Sequence, residues 1–372
     1  MIFEMFTYLP FVAFVLVVLG FVFPACRALQ LRTRGQAVMS MVLLLCFSKF
    51  LCFRTLGGNV FNPEFPDFLI WIWDWLFDGA MILLVLAAAL FFVPRRVKAW
   101  LLPVLAWSAA AVGVWNGVRP PPVREVEIAC PGLPDSLDGY RIVQLADLHV
   151  SSAARRWRTE AIVERANAAG GDVVVCTGDI VDGAPALRLR DVEPLKDLRA
   201  RDGVWFVTGN HEFYGDWDGW RALYDEWGIR FLHDKCVFPR PDLALGGVDD
   251  GAFGSDTGPA GVARVFAAAT NGEFRVLLKH RPADARGNGV HVGLQLSGHT
   301  HGGIAPLLAR LVALANEGFV RGVYDISSDA SAPGRGARLY VSPGCGQWAG
   351  FPIRFFNDSE ISLLVLRKET GR

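Results

Sequence analysis

The chain has 372 residues, of which 52% are hydrophobic, and its formal net charge is zero. This length is enough for one catalytic domain of ordinary size and a second part. The balanced charge gives no general basic surface for nucleic acid, so we expect no nucleic-acid partner.

The first third of the chain contains four long apolar runs. They cover residues 6–25, 37–53, 68–93 and 99–118, and each is close to the roughly 17–25 residues that cross a bilayer as a helix. Buried helices of a soluble bundle would instead need polar faces at helical spacing, which these runs lack. We therefore predict a multi-pass integral protein of the cell membrane in which residues 1–118 form a four-helix transmembrane anchor.

Basic residues in the short loops predict the topology. The basic residues that follow the first and third runs are Arg27, Arg32, Arg34, Arg95, Arg96 and Lys98. Loops rich in Lys and Arg remain in the cytoplasm. With four spans, the N-terminus and the large C-terminal part then lie outside, so we predict an extracytoplasmic catalytic domain, with the reversed topology as the alternative.

Three charged residues lie within the apolar runs. Lys49 belongs to the second run, and Asp74 and Asp78 lie one helical turn apart in the third. An ionisable residue inside a membrane is by default a functional hypothesis. Here all three fall near the same interface, so we expect them to reach the polar layer or to form a Lys49–Asp78 pair, and the predicted role of the helices is anchoring.

A proline-rich connector, residues 119–122, separates these runs from a domain of alternating strands and helices at residues 123–372. Consecutive prolines favour an extended, stiff backbone. Strands are predicted at residues 123–128, 141–146, 173–177, 204–208, 274–279, 294–297, 339–342 and 361–366, and helices at residues 155–169 and 217–227. Short apolar strands with intervening helices indicate an α/β fold in which both faces of the sheet are covered.

Metal-binding side chains follow several of these strands. In chain order the segments are Asp147-Leu148-His149, Gly178-Asp179, Gly209-Asn210-His211-Glu212, His280 and Gly298-His299-Thr300-His301-Gly302-Gly303. Carboxylate, carboxamide and imidazole groups together suit two divalent ions held close together. On a regular strand, residues two apart face one side, so we expect the Asp147–His149 and His299–His301 pairs each to converge. Any one of these histidines could be structural, but the set indicates a metal centre.

The five segments in this order resemble the calcineurin-like metallophosphoesterase superfamily, and the resemblance covers residues 123–372. Finer features, such as Thr177-Gly178-Asp179-Ile180-Val181-Asp182, are similar to the membrane-anchored bacterial branch and to transmembrane proteins with a metallophosphoesterase domain. The resemblance implies a four-layer α/β/β/α sandwich, placed here after the helical anchor. It also implies hydrolysis of a phosphate ester.

The resemblance implies a role for each residue of the motifs. The residues implied for the first metal are Asp147, His149 and His301, those for the second are Asn210, His280 and His299, and Asp179 would bridge the two. His211 would be a catalytic residue that is not a ligand and that protonates the leaving oxygen or stabilises the phosphoryl charge. Asp179 is one candidate for the group that orients it. Manganese, iron, zinc or a mixed pair would fit these ligands.

These observations predict a membrane-anchored dinuclear-metal phosphoesterase that hydrolyses a phosphomonoester or phosphodiester by attack of a metal-activated water. A phospholipid or lipid-linked phosphate is the favoured substrate because the short connector keeps the domain close to the bilayer. The alternative is a membrane sensor or transport subunit in which the fold only binds a ligand, although such a protein has no need of His211. Nothing implies a protein partner.

Other polar residues near the motifs receive weaker predictions. Lys279, directly before His280, is a candidate for setting the charge preference for the substrate. We expect Asp249 and Asp250 to be a solvated pair in a loop, and Arg354 to be exposed or ion-paired.

Overall fold

The computed structural model describes residues 33–58, 63–89, 95–270, 272–327, 336–350 and 353–369. It divides into two compact units. The helical unit consists of the chain up to Val118 together with Trp348–Arg354. The α/β unit consists of Arg119–Gln347 and Phe355–Arg372.

The described part of the helical unit contains four helices: α1 (Thr33–Phe47), α2 (Lys49–Leu56), α3 (Asp67–Ala89) and α4 (Arg95–Val118). Two of them are long and apolar enough to cross a membrane, over Asp67–Ala87 and Leu101–Val118. They pack through small and branched side chains, namely Leu83, Ala87, Leu102 and Ala106.

The first two predicted spans have different outcomes. The first, residues 6–25, lies outside the described residues. The second is interrupted at Ser48, whose hydroxyl donates to the Leu45 carbonyl at 2.6 Å, and the helices on either side have 15 and 8 residues. A side chain that bonds back to the preceding turn bends a helix. The prediction of four continuous transmembrane helices is therefore not confirmed.

The three charged residues within the predicted spans are buried. Lys49, Asp74 and Asp78 are at most 1% exposed. The Lys49 ammonium pairs with the Asp74 carboxylate and also donates to the Gly350 carbonyl at 2.7 Å. The recorded ion pair of Lys49 is therefore with Asp74 of α3, where a pair with Asp78 was expected.

The α/β unit is built on two six-stranded sheets. The strands are β1 (Val123–Cys130), β2 (Arg141–Leu145), β3 (Val173–Thr177), β4 (Val204–Val207), β5 (Arg230–Phe231), β6 (Lys235–Arg240), β7 (Leu243–Gly247), β8 (Phe274–Leu278), β9 (Leu294–Ser297), β10 (Gly322–Asp325), β11 (Arg338–Val341) and β12 (Ile361–Lys368). Their spatial order is β1-β12-β2-β3-β4-β5 in the first sheet and β10-β11-β9-β8-β7-β6 in the second.

Both sheets are mixed, with a parallel centre. In the first, β2 to β5 are parallel and β12 is antiparallel to β2. In the second, β7, β8, β9 and β11 are parallel, and the edge strands β6 and β10 are antiparallel. The parallel strands therefore end at a common edge of each sheet, and that edge carries the loops discussed below.

Helices and a shared core cover the two sheets. The helices of this unit are α5 (Arg156–Ala168), α6 (Pro185–Val192), α7 (Asn210–Tyr214), α8 (Trp217–Glu226), α9 (Pro259–Val265), α10 (Ala285–Asn288) and α11 (Pro306–Ala315). One apolar cluster joins strands of both sheets, including Val175 and Leu278. A second packs α5, α6 and α8 against the first sheet, and a third packs α9 against the second sheet. The predicted α/β class is confirmed.

Candidate metal centre

The predicted metal-binding side chains meet at the carboxyl ends of parallel strands. Asp147, Asp179 and Asn210 follow β2, β3 and β4 of the first sheet, and His280 and His299 follow β8 and β9 of the second. The potential ligand atoms form three groups in which all atoms lie within 4.8 Å of one another. The groups are Asp147, His149 and His301; His149, Asp179 and His211; and Asp179, His280 and His299.

The first group is assembled from the loops after β2 and β9. The Nε2 atoms of His149 and His301 lie 3.3 Å apart. The Nε2 of His301 is 3.8 Å from Oδ1 of Asp147. All three side chains are at most 6% exposed, so they form one buried cluster of two imidazoles and a carboxylate.

The second group lies on the other side of Asp179. The Nε2 of His280 is 3.2 Å from Oδ2 of Asp179, and the Nδ1 of His299 is 3.1 Å from Nε2 of His280. The same Oδ2 of Asp179 is 3.7 Å from Nε2 of His149. Asp179 thus touches both groups, and it is 2% exposed.

The donors of this centre fit two divalent ions. The carboxamide Oδ1 of Asn210 is buried and has no hydrogen-bond partner among the described residues. A buried polar oxygen without a partner destabilises the fold, so this atom is suited to binding a metal ion. The Nδ1 of His280 lies 2.8 Å from the Thr177 carbonyl, so this nitrogen carries the proton and the Nε2 keeps a lone pair for a metal. The Nδ1 of His301 faces the Gly346 carbonyl at 3.3 Å in a similar way.

Five of the seven predicted ligands have a left-handed backbone. The φ angles are 49° for Asp147, 45° for His149, 54° for Asp179, 71° for His299 and 47° for His301. Positive φ is uncommon outside glycine and costs on the order of 1–3 kcal/mol per residue. The expectation that each Asp/His or His/His pair shares one side of a strand was wrong, because β2 ends at Leu145 and β9 at Ser297. The side chains converge because the loops turn back.

Asp182 holds two histidines of the centre. Its Oδ1 is 2.6 Å from the Nδ1 of His211, and its Oδ2 is 3.2 Å from the Nδ1 of His149. Burial raises the pKa of Asp182, but the charges of His149 and His211 outweigh burial and lower it to about 2. Asp182, three residues after Asp179, was not predicted as a site residue, although it lies within the segment that carries the resemblance.

The partner that orients the His211 ring is therefore Asp182. Asp179 contacts His211 through the backbone, since its Oδ1 accepts the His211 N–H at 2.9 Å. Burial lowers the pKa of His211, but the two carboxylates of Asp179 and Asp182 together raise it to about 9. The imidazole is thus held by two anionic groups and is oriented through Nδ1.

Residues 140–303 match the family described as calcineurin-like phosphoesterase. The chain contains a calcineurin-like metallophosphoesterase domain. All eight predicted site residues lie within the matched range. The resemblance stated from the motifs is confirmed.

Several curated relatives are similar to this chain. A transmembrane protein with metallophosphoesterase domain from Danio rerio is 34% identical over 278 residues, covering 70% of this chain and 60% of the relative. The protein of the same description from Bos taurus is 31% identical over 280 residues, covering 69% and 60%. An uncharacterized metallophosphoesterase from Helicobacter pylori is 30% identical over 256 residues, covering 68% and 66%. The chain thus spans about 60% of the length of the first of these relatives.

Glu212 ties together the metallophosphoesterase loops that follow β3 and β4. Its carboxylate accepts the backbone N–H groups of Asp179 at 2.9 Å, Ile180 at 2.6 Å and Gly209 at 2.7 Å. A carboxylate that accepts several backbone donors forms strong, charge-assisted bonds. Glu212 therefore fixes the backbone on either side of Asp179 and before Asn210.

Cys345 is a packed residue at the edge of the centre. It is fully buried, and burial raises the pKa of its thiol to about 12. Its N–H donates to the Ala146 carbonyl at 2.7 Å, and the next N–H, of Gly346, donates to the Asp147 carbonyl at 2.7 Å. The segment after β11 thus supports the Asp147 loop through the backbone.

Proposed function

We propose that the protein is a membrane-anchored, metal-dependent phosphoesterase that hydrolyses a phosphate monoester or diester. The observation that carries this proposal is the position of Asp179, whose carboxylate contacts the histidines of both ligand groups. A carboxylate between two sites offsets the repulsion of two dications. The phosphoesterase domain and the unpaired Asn210 oxygen support the same reading.

The ligand assignment is part of the proposal. The residues for one ion are Asp147, His149 and His301, and those for the other are Asn210, His280 and His299, with Asp179 between them. When bound, two divalent ions lower the pKa of a water molecule and compensate the charge of the phosphate oxygens. Manganese, iron, zinc and mixed pairs all suit these donors.

His211 is proposed as the proton donor to the leaving oxygen. Its Nδ1 is bound to Asp182, so proton transfer to a substrate would use Nε2. Asp182 is a positioning residue in this account, since it acts on the substrate only through His211 and on the first ion only through His149.

A lipid-linked phosphate is the proposed substrate class. Two aromatic side chains beside His211 are exposed, Phe213 by 52% and Tyr214 by 46%. The ring centroid of Tyr214 lies 5.5 Å from that of His211, the proposed proton donor. Exposed aromatic rings suit an apolar leaving group. The connector of residues 119–122 adds little length after α4.

We also propose that the catalytic domain is extracytoplasmic, because the basic loops after the first and third apolar runs favour the cytoplasm. Reporter fusions to the C-terminus test this. A reporter that is active only outside the cytoplasm should be active, and a reporter that folds only inside it should be silent. The opposite pair of results would establish the reversed topology.

The hydrolytic proposal is tested with full-length protein in detergent that has been stripped of metal and reloaded with manganese. It is assayed on a chromogenic phosphate monoester and on a diester with the same leaving group, beside Asp179→Asn. We expect metal-dependent hydrolysis that the variant loses. Hydrolysis of neither ester by a protein with two bound ions would contradict the enzymatic proposal and favour a ligand-binding role.

The lipid proposal has its own comparison. Phosphate release from a short-chain lipid phosphate in mixed micelles is compared with release from glycerol phosphate, which has the same reacting group. We expect kcat/KM to be higher for the lipid and to approach that of glycerol phosphate when Phe213 is changed to Ser. Equal values for the two substrates in the unchanged protein would refute the lipid preference.

A further inference from the structure

Arg281 is a basic residue of the α/β unit that lies next to a proposed ligand. It directly follows His280 in the loop after β8. Its side chain is 40% exposed, whereas that of His280 is fully buried. A cavity of about 210 Å³ adjoins it, and its lining includes Asp250, Lys279, His280 and Arg281.

A buried carboxylate fixes the guanidinium of Arg281. Its Nε donates to Oδ2 of Asp250 at 2.8 Å, and its Nη2 lies 3.3 Å from Oδ1. The side chain of Asp250 is 1% exposed, and its own position is fixed by the Ala252 N–H, which donates to Oδ1 at 2.9 Å. The Asp250 N–H donates to Oγ1 of Thr208 at 3.1 Å. Nη1 of Arg281 makes no hydrogen bond to the described residues. The N–H groups on this side of the planar guanidinium can therefore donate to an anion.

The guanidinium of Arg281 is a fixed charge beside the metal centre, because Arg281 directly follows the proposed ligand His280 and is held by Asp250. Burial opposes the charged form of Arg281, but Asp250 raises its pKa, with smaller contributions from Tyr214 and Asp179. A fixed cation this close to a site for two dications is favourable when an anion lies between them.

The other basic candidates from the sequence are engaged elsewhere. Lys279 is 2% exposed, and its ammonium donates to the carbonyls of Thr257 at 2.8 Å and Ala283 at 2.5 Å. Arg354 is fully buried and belongs to the helical unit. The Lys279 ammonium is thus bonded to backbone carbonyls, and of the two alternatives expected for Arg354, exposed or ion-paired, exposure is wrong. Asp250 is a buried partner of Arg281 rather than a solvated loop residue.

We propose that Arg281, held by Asp250, binds a terminal oxygen of the substrate phosphate and selects phosphate monoesters over diesters. The inference rests on the proposed function and narrows its substrate class. A monoester has three terminal oxygens and a charge of about −1.5 to −2 at pH 7. A diester has two terminal oxygens and a single charge. A fixed guanidinium donor beyond the metal ligands therefore has an additional anionic partner only in the monoester.

The test uses full-length, manganese-loaded protein in detergent and three variants. Arg281→Gln removes the charge. Arg281→Lys keeps the charge but replaces the planar guanidinium by a single ammonium group. Arg264→Gln is the control, because Arg264 also pairs with an aspartate, Asp256 at 2.8 Å, but on the exposed surface. Each protein is assayed with p-nitrophenyl phosphate and with its methyl diester. The affinity for inorganic phosphate is measured separately by calorimetry.

We expect Arg281→Gln to lower kcat/KM for the monoester by about 10- to 100-fold, the range for loss of a hydrogen bond to a charged group. The dissociation constant of inorganic phosphate should rise by a similar factor. The diester should change by less than about threefold, since it offers no third terminal oxygen. Arg281→Lys should recover part of the monoester rate, and Arg264→Gln should behave as the unchanged protein.

Equal losses on both esters, or an unchanged affinity for phosphate in Arg281→Gln, would overturn the proposal. The calorimetry separates this failure from that of the proposed function. If the unchanged protein hydrolyses neither ester, weaker phosphate binding in Arg281→Gln still supports phosphate recognition by Arg281. In that case, absent or unchanged phosphate binding refutes it. Metal content is measured for every variant, so that a loss of ions is not mistaken for a loss of phosphate contact.

Discussion

At the scale of single residues, the centre depends on polar partners that lie behind the proposed ligands. Asp182 binds Nδ1 of both His149 and His211, and Glu212 accepts three backbone N–H groups around Asp179 and Gly209. Such outer partners set the tautomer and orientation of the groups that they contact. The chemistry proposed for His211 and for the first ion thus depends on one carboxylate.

Replacing Asp182 by Asn tests this dependence. The amide keeps the size of the side chain but loses the charge that favours protonated Nδ1 in both histidines. We expect kcat or metal affinity to fall by about 10- to 100-fold, as for outer partners of metal ligands. Steady-state hydrolysis and a manganese titration measure the two quantities.

Asp202→Asn is the matched control for this substitution. Asp202 accepts the Tyr140 hydroxyl at 2.8 Å and pairs with Arg201 at 2.9 Å, outside the metal centre. The activity and the metal affinity of the Asp202→Asn variant should remain near those of the unchanged protein. Similar losses in both variants would mean that removing a carboxylate acts through general stability and not through the histidines.

The motif residues could be predicted from the sequence, but their partners could not. The proposed ligands were identifiable because each directly follows an apolar strand, and parallel strands end at a common edge. Asp182 was within the quoted motif, yet its contact with His211 depends on how two loops approach each other. Arg281 was passed over for Lys279, because a sequence does not tell which of two adjacent cations is buried.

At the scale of elements, the loop after β3 and the loop after β4 are in close backbone contact next to Asp179, at Gly178 and Gly209. A Cβ on Gly209 would meet the Asp179 carboxylate oxygen and would lie 2.5 Å from the Asp179 nitrogen. A Cβ on Gly178, which has a φ of 91°, would lie 2.5 Å from the Gly209 nitrogen. The loops after β3 and β4 can therefore pack only if both positions lack a side chain.

Gly209→Ala tests this contact. Gly209 has a φ of −109°, which alanine adopts without strain, so the effect should come from the contact with Asp179 alone. We expect a loss of at least about tenfold in manganese affinity, since the displaced carboxylate serves both ions. Gly272→Ala is the control, with its nearest atom at 3.6 Å and no positive φ. Unchanged metal affinity in Gly209→Ala would contradict the account of these loops.

The elements that were predicted and those that were missed differ in burial. β3 is buried along its whole length and is apolar up to Thr177, so its pattern indicated its bounds. β9 is equally buried, although it contains Gln295 and Ser297. The edge strand β6 is half exposed and contains Pro239. It therefore lacks the buried apolar run that predicts a strand, and proline is unusual in one. The helices α6, α9 and α11 were missed although each begins with a proline, a residue typical of a first helical turn.

The buried ion pair of the helical unit is a second feature at this scale. Lys49 of α2 and Asp74 of α3 are both fully buried. Removing one partner of a buried pair leaves an uncompensated charge and costs about 3–5 kcal/mol. We expect Lys49→Met to lower the melting temperature of the full-length protein in detergent. Lys49→Met combined with Asp74→Asn should melt closer to the unchanged protein. A double variant that melts below the single variant would show that the pair is not what stabilises these helices.

At the scale of the whole molecule, the chain joins a helical unit to a metallophosphoesterase unit. Apolar run length predicted spans, and two helices of sufficient length are present in the described part of the chain. Length and composition could not reveal the interruption at Ser48, which depends on a hydroxyl bonded to the preceding turn. The division at residues 118–123 and the orientation across the membrane remain predictions from composition and charge.

The central claim is a site for two ions with His211 as a residue that is not a ligand. The rival to this claim is His211 as a ligand, because it also lies within 4.8 Å of potential ligand atoms of His149 and Asp179. The most direct measurement is the number of manganese ions per chain after reloading, for the unchanged protein and for His211→Ala, with hydrolysis assayed on the same samples. The account predicts two ions in both proteins and hydrolysis only in the first. Fewer than two ions in the unchanged protein, or the loss of an ion in His211→Ala, would contradict it.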